Sequence, residues 1–257
     1  IPGHNIPMGI LGTIILFFGW FGFNPGSSLG FTGPFRDLAI IAAVNTLLAG
    51  AAGGISAMFY MWWVSPAKKP DPAMSVNGLL AGLVAITAPC AFVDTWAAVV
   101  IGLIAGVLVA LATTLLEKLR IDDPVGAAPV HFVNGMWGVL AVGIFANGNP
   151  LTAAWNGVPT PVTGLLYGGT GQFIAQLAEA VAIAVTVIVL GWVFFKIVNA
   201  IGWLRSSPAD ELAGLDLPEM GAPGYTNDDM VMHGGMPGPR FRSATSSMRP
   251  ASSTSKS

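Results

Sequence analysis

Charge is scarce in this sequence. Lys, Arg, Asp and Glu make up only 9% of its 257 residues, where a soluble domain usually carries roughly 25%. So few charged side chains do not cover a water-facing surface. With 53% hydrophobic residues and a mean hydropathy of +0.69, the chain requires a second solvent, lipid. The net charge of −2 argues against nucleic acid as the main partner. Cysteine is nearly absent too: Cys90, alone in an apolar run, makes no internal disulfide and reads as a small packing residue. The histidines His4, His131 and His233 fall in a loop, an apolar span and a polar tail, which is no zinc spacing. There is no phosphate-binding glycine loop and no paired-carboxylate site. No metal, no cofactor and no enzymatic activity are expected. The opening IPGHNIPMG also lacks a basic stretch followed by a small-residue cleavage site, so no signal peptide is expected.

What is present is a series of apolar runs. About 20 such residues cross a hydrocarbon core as a helix, and six stretches qualify: roughly 6–23, 38–63, 74–93, 95–116, 127–146 and 174–203. The third and fourth are parted only by Asp94 and Thr95, just after an interruption at Ala88-Pro89-Cys90. Asn24-Pro25-Gly26 breaks the helix after the first span. Alternate loops lie on one side of a membrane, and cytoplasmic loops hold the Lys and Arg. One set carries Lys68 and Lys69, then Lys118 and Arg120, then Arg205; the other carries only Arg36, beside Asp37. The chain is therefore expected to start inside, cross six times and end inside. The expected division is a six-span transmembrane domain at 1–204, a cytoplasmic regulatory segment at 205–229, and a disordered Ser/Pro-rich tail at 230–257.

Between Asp123 and Glu179 no formally charged residue occurs, and His131 stands within that stretch in AAPVHFVNGMWG. An ionisable group inside a membrane is costly and usually faces a cavity, a partner or a substrate path. Two readings stand: a functional imidazole, or a structural one hydrogen-bonded to a neighbour such as Asn134, three residues on. Asn45 and Asn77 read as polar glue between helices. Trp20 and Phe23, three apart at the end of the first span, form either an interfacial aromatic belt or a pore-lining pair whose π-faces attract a cation. Ser27 follows at the helix break, where its hydroxyl is placed to accept a hydrogen bond from an ammonium.

Several segments together resemble the ammonium transporter family (ammonium transporter, methylammonium permease, Rhesus). They are HNIPMGILGTIILFFGWFGFNPGSS, AAVNTLLAGAAGG, NGLLAGLVAITAPCAFVDTWAAVVIGLIAG and IDDPVGAAPVHFVNGMWGVLAVGIFA, with ELAGLDLPEMG similar to the family's cytoplasmic signature. The resemblance implies an all-α integral membrane protein. Specifically, it implies the second five-helix inverted repeat plus the long closing helix of an eleven-helix fold, with a cytoplasmic tail. It further implies ammonium or ammonia transport through a pore in each subunit, with a non-transporting fragment or ammonium sensor as the alternative. His131 matches the second of two pore histidines, and Trp20 the tryptophan beside them. Leu16 lies one turn earlier on the same face. Phe23 matches one of two stacked gate phenylalanines, and Ser27 the serine of the outer recruitment site. The first pore histidine and the other gate phenylalanine belong to the first repeat, and Met220 stands where the tail signature commonly has histidine. The implied setting is the plasma or inner membrane, multi-pass, with a cytoplasmic C-terminus. The implied partners are lipid, two further copies in a homotrimer, and a PII-type signalling protein at the cytoplasmic face.

Overall fold

The computed structural model describes residues 5–152 and 160–224; the tail expected at 230–257 lies outside them. The chain forms two units, Ile1–Val189 and Leu190–Ser257. The helices are α1 (Ile6–Phe23), α2 (Pro34–Val64), α3 (Pro72–Thr87), α4 (Thr95–Lys118), a π-wound segment (Ala128–Val133) continuing into α5 (Asn134–Phe145), α6 (Thr170–Ala200) and the short α7 (Pro208–Ala213). Proline occupies the first turn of α1, α2, α3 and α7, where its missing N–H leaves no bond unmade. Asn5 and Asp71 cap α1 and α3 through the N–H groups of Met8 (3.0 Å) and Met74 (3.1 Å). Among the described residues, five helical stretches are long and apolar enough to cross a membrane: α1 with the turn after it, α2, α4, the π segment with α5, and α6.

The third expected span, 74–93, is helical over only part of its length. Its helix starts at Pro72 and stops at Thr87 after 16 residues. That is about 24 Å at 1.5 Å per residue, short of a hydrocarbon core of about 30 Å. Residues 88–93 turn instead, because Pro89 has no N–H for a helical ladder. Pro89, Cys90 and Val93 are buried, and the freed carbonyls are taken by side-chain and backbone donors. The Asn45 amide donates to the oxygens of Cys90 (2.8 Å) and Val93 (2.9 Å), and the Asn147 N–H donates to Phe92 (2.9 Å). Irregular backbone at membrane depth is tolerated when it is buried and satisfied in this way. Asn45 is thus polar glue between α2 and the end of α3. Asn77 plays a lesser version of the same part, donating to the Val125 carbonyl at 3.3 Å.

The core lies where α2, α3 and α4 meet, and it is built of small residues: Ala42, Ala49, Ala81, Ala85, Ala97, Ala98 and Ala105 around Ile86, Ile101 and Val109. Backbones come into direct contact. A Cβ on Gly82 of α3 or on Gly102 of α4 would strike the Ala49 carbonyl of α2 from either side. In lipid, where apolar surface gains little by hiding, such close approach supplies the dispersion energy of association. α6 is the opposite case: of its 31 residues only Ala180 is buried, and apolar side chains such as Ile174, Val181 and Val185 are exposed.

At the end of the helices where the 88–94 turn lies, a polar latch ties three loops together. Asp94 accepts hydrogen bonds from the Tyr167 hydroxyl (2.6 Å) and the Asn147 amide (2.7 Å). These bonds, Tyr167 first, hold the Asp94 carboxyl below its ordinary range, while the carboxylate pushes the Tyr167 phenol up. A lowered carboxyl and a raised phenol give a latch present across neutral pH. It opens as pH falls through the depressed Asp94 value or rises through the elevated Tyr167 value.

In the second unit, α6 ends and the tail folds on itself. Arg205 pairs with Glu211 through two bonds of 3.0 Å, and the Ser206 hydroxyl donates to Glu219 at 2.8 Å. The Ser207 hydroxyl caps α7, accepting from the Asp210 N–H at 3.1 Å, with Asp210 and Glu211 in the first turn. The helix-compatible run ADELAGLDL is shorter than its composition implies, because Gly214 takes φ 95° and ends α7.

Candidate functional site

α1 closes where Asn24 caps it. The Asn24 N–H bonds to the Trp20 oxygen (2.9 Å), and its side-chain amide reaches Thr46 on α2 (3.0 Å). The chain then turns at Pro25 and makes one tight turn over Gly26–Ser28. Leu16, Trp20 and Phe23 consequently share one face of α1, with Leu16 52% and Phe23 56% exposed. The Trp20 indole N–H donates to the Thr87 hydroxyl at 2.9 Å, which fixes the ring against the last residue of α3. Its centroid lies 6.3 Å from that of Phe23, tilted by 59°. Ser27 donates to the Phe23 carbonyl at 2.7 Å, so its hydrogen is engaged and its lone pairs remain as acceptors.

A cleft of about 220 Å³ opens here, lined by Phe23, Ser27, Leu38, Thr87, Cys90 and Phe92 among others. Its chemistry is mostly apolar, with an aromatic face and a hydroxyl acceptor at one edge. Such a site suits a small cation that forms hydrogen bonds, since a ring face and an acceptor oxygen both favour positive charge.

His131 is not among the residues lining that cleft. It sits on the π segment, which packs against α3 and α4. The start of that segment is held by Asp123, whose two carboxylate oxygens accept from the N–H groups of Ala127 and Ala128, each at 2.8 Å. The His131 side chain is exposed on the surface of this chain. Asn134, expected as a hydrogen-bond partner for the imidazole, is instead fully buried and bonded to the Pro129 carbonyl at 2.8 Å. The π winding separates the two, since an α-helical turn would have put residues three apart on one face.

The structure therefore brings Trp20, Phe23 and Ser27 together, keeps Leu16 one turn away on their face, and places His131 on a separate element. Thr87 was not anticipated; it orients the tryptophan, and its position beside the Pro89 interruption was the available signal. Asn45, the glue between α2 and the end of α3, holds the carbonyl of Cys90, one of the residues lining the cleft.

Apolar helices of this length around a small-residue core define a multi-pass α-helical membrane protein. Residues 1–225 match the Ammonium Transporter Family, and the chain belongs to it. Ammonium transporter Amt2 of Archaeoglobus fulgidus is 47% identical over 229 residues, covering 88% of this chain and 47% of that protein. Ammonium transporter 1 member 1 of Solanum lycopersicum is 34% identical over 245 residues, covering 89% and 49%. Among solved structures, one described as a Sensor Amt Protein superposes with a TM-score of 0.71 at 35% identity, covering 84% of this chain and 49% of that one. Mep2 of Saccharomyces cerevisiae gives 0.72 at 32%, covering 80% and 46%. The named relatives are transporters rather than enzymes, and the chain spans about half the length of the curated relatives it matches. Its fold is the five-helix repeat and long closing helix of that architecture.

Proposed function

We propose that this chain forms one half of an ammonium-conducting pore. Ammonium is recruited at the cleft by the faces of Trp20 and Phe23 and by the Ser27 hydroxyl, then passed along a path that includes His131. The observation carrying this reading is that Phe23 and Ser27 line the cleft, with Trp20 held beside them by its ring contact with Phe23 and its bond to Thr87, in a chain of this family. A bare cation entering a narrow apolar passage loses its hydration at large cost. The imidazole offers a hydrogen-bonded route on which the proton and ammonia separate and cross, and Leu16 keeps the passage too narrow for hydrated sodium or potassium. His131 exposed on this chain's own surface is consistent with a wall completed by a partner repeat.

Because that wall is shared, the 257 residues alone should not conduct. Methylammonium uptake by liposomes holding only this chain is expected to equal the leak of empty liposomes, and uptake clearly above it would overturn the half-pore reading. A second reading is a sensor, with which the likeness to the structure described as a Sensor Amt Protein is compatible. Tail-dependent signalling without uptake by a completed protein would support it.

The orientation proposed is cytoplasmic for the start and for the tail, in a plasma or inner membrane. The support is the loop charge at Lys68, Lys69, Lys118, Arg120 and Arg205 against the single Arg36 on the other side. Tags after Ala67 and Gly221 should be protected in sealed right-side-out cells and one at Gly157 accessible. Finding the tags at 67 and 157 on the same side would sink the six-crossing topology. Assembly as a homotrimer, and regulation through residues 205–221 with a PII-type protein at the cytoplasmic mouth, belong to the same proposal. The support for the regulatory part is a tail tied to itself by Arg205–Glu211 and Ser206–Glu219; the trimer and the PII-type partner rest on the family alone.

A further inference from the structure

We propose that Asn134 is a positioning residue for His131, its side-chain amide holding open the π turn on which the histidine is carried. The proposal rests on the reading of His131 as a pore group and adds to it the device that aims the imidazole. Three observations converge. First, the winding over Ala128–Val133 is π, and it ends at Asn134, where α-helix resumes. Second, Asn134 bridges the turn at two points: its backbone N–H bonds to the His131 oxygen, and its Nδ2 donates to the Pro129 oxygen at 2.8 Å. Third, Asn134 is 0% exposed, and its Oδ1 is buried with no hydrogen-bond partner.

The third point separates positioning from packing. A buried amide oxygen left unpaired is destabilising by about 1–3 kcal/mol, so as filler an apolar side chain of similar volume would serve better. What the amide alone supplies is a donor to Pro129. Widening a turn from α to π takes carbonyls away from their usual N–H partners, and the Asn134 amide replaces the bond at the buried side. The inner side of the turn, Pro129 and Val130, is packed away, while His131 and Phe132 stand on the outer side. Without the amide, the turn is free to return to α winding. One residue of an α-helix corresponds to about 100° of rotation, enough to swing an imidazole out of line with any fixed path. Asp123 anchors the other end of the segment, so the slack would fall on the stretch that contains His131.

The test reads the imidazole directly. The 257-residue chain is labelled at histidine nitrogen and reconstituted in lipid, and the His131 ring signal is assigned by its loss in His131→Gln. Asn134→Leu should shift that signal and speed amide exchange over 130–134, while Asn134→Gln, which keeps the donor, should stay closer to the parent. Asn45→Leu removes an equally buried asparagine amide elsewhere and should leave the His131 signal in place. Should Asn134→Leu not fold, Asn134→Ala carries the same expectation. In a completed transporter, Asn134→Leu should lower kcat by about tenfold with KM nearly unchanged, as misplacement of a reacting group does. An unmoved His131 signal in folded Asn134→Leu or Asn134→Ala overturns the proposal, as does an equal shift in Asn45→Leu. A moved signal with unchanged transport supports the positioning and counts against the pore reading instead.

Discussion

Replacing His131 by alanine in a completed transporter, this chain continued by a first repeat of the family's kind, is expected to abolish selective methylammonium uptake and leave folding and assembly intact. The physical grounds are two. His131 is exposed on this chain and makes no side-chain hydrogen bond among the described residues, so removing it leaves no buried group stranded and creates no cavity. Within this chain little stability is lost, since surface substitutions usually change it by less than about 0.5 kcal/mol, and in the completed protein the proposed setting of the side chain is a passage rather than packed core. If the imidazole carries the hydrogen-bonded route, its loss leaves ammonium facing an apolar passage with no partner for its N–H groups, a barrier of several kcal/mol. Each 1.36 kcal/mol is a factor of about ten in rate, so uptake should fall at least a hundredfold. The comparison is uptake per assembled protein, with sodium and potassium as competitors. Unchanged uptake and selectivity would return His131 to a structural role.

The second large effect concerns the helix crossing. Gly102→Val should prevent the chain from folding stably, whereas Gly191→Val should be tolerated. A Cβ on Gly102 would lie within 2.8 Å of the Ala49 Cα and closer still to its carbonyl oxygen, and neither is a flexible side-chain end that can move aside. Relief requires α4 to retreat from α2, which reopens the core around Ala98, Ile101 and Ala105. Overpacking of side chains typically costs about 1–3 kcal/mol, and a clash of backbone with backbone lies at or beyond the top of that range. Gly191 has open space around it, so the same substitution there adds only apolar surface. Monodispersity and thermal unfolding of the two variants in detergent give the comparison. Parent-like stability of Gly102→Val would show that the three-helix contact is not what holds the unit together.

Much of this architecture was legible in the residues because its causes are local. A chain with so little charge requires lipid, and lipid requires uninterrupted apolar runs of a set length, so the helices fall where those runs fall. The break after α1 is equally local: Asn24 caps, Pro25 lacks a donor, Gly26 bends. Leu16, Trp20 and Phe23 sharing a face follows from helical spacing alone.

What only the tertiary structure decided is where backbone polar groups find their partners. The interruption at Ala88-Pro89-Cys90 is readable in the third run, but what lets the turn after Thr87 lie buried is Asn45 on a different helix, which takes the Cys90 and Val93 carbonyls. The partner sits more than forty positions away, out of reach of any periodicity. Asn134 looks like a neighbour of the His131 ring at helical spacing, yet a π turn sends one residue inward and the other outward. Length and hydropathy choose the segments, since solvent acts on each of them separately. Winding, helix ends and the direction of the polar side chains depend on which donor meets which acceptor across the packed interior, and that is a property of the assembled chain.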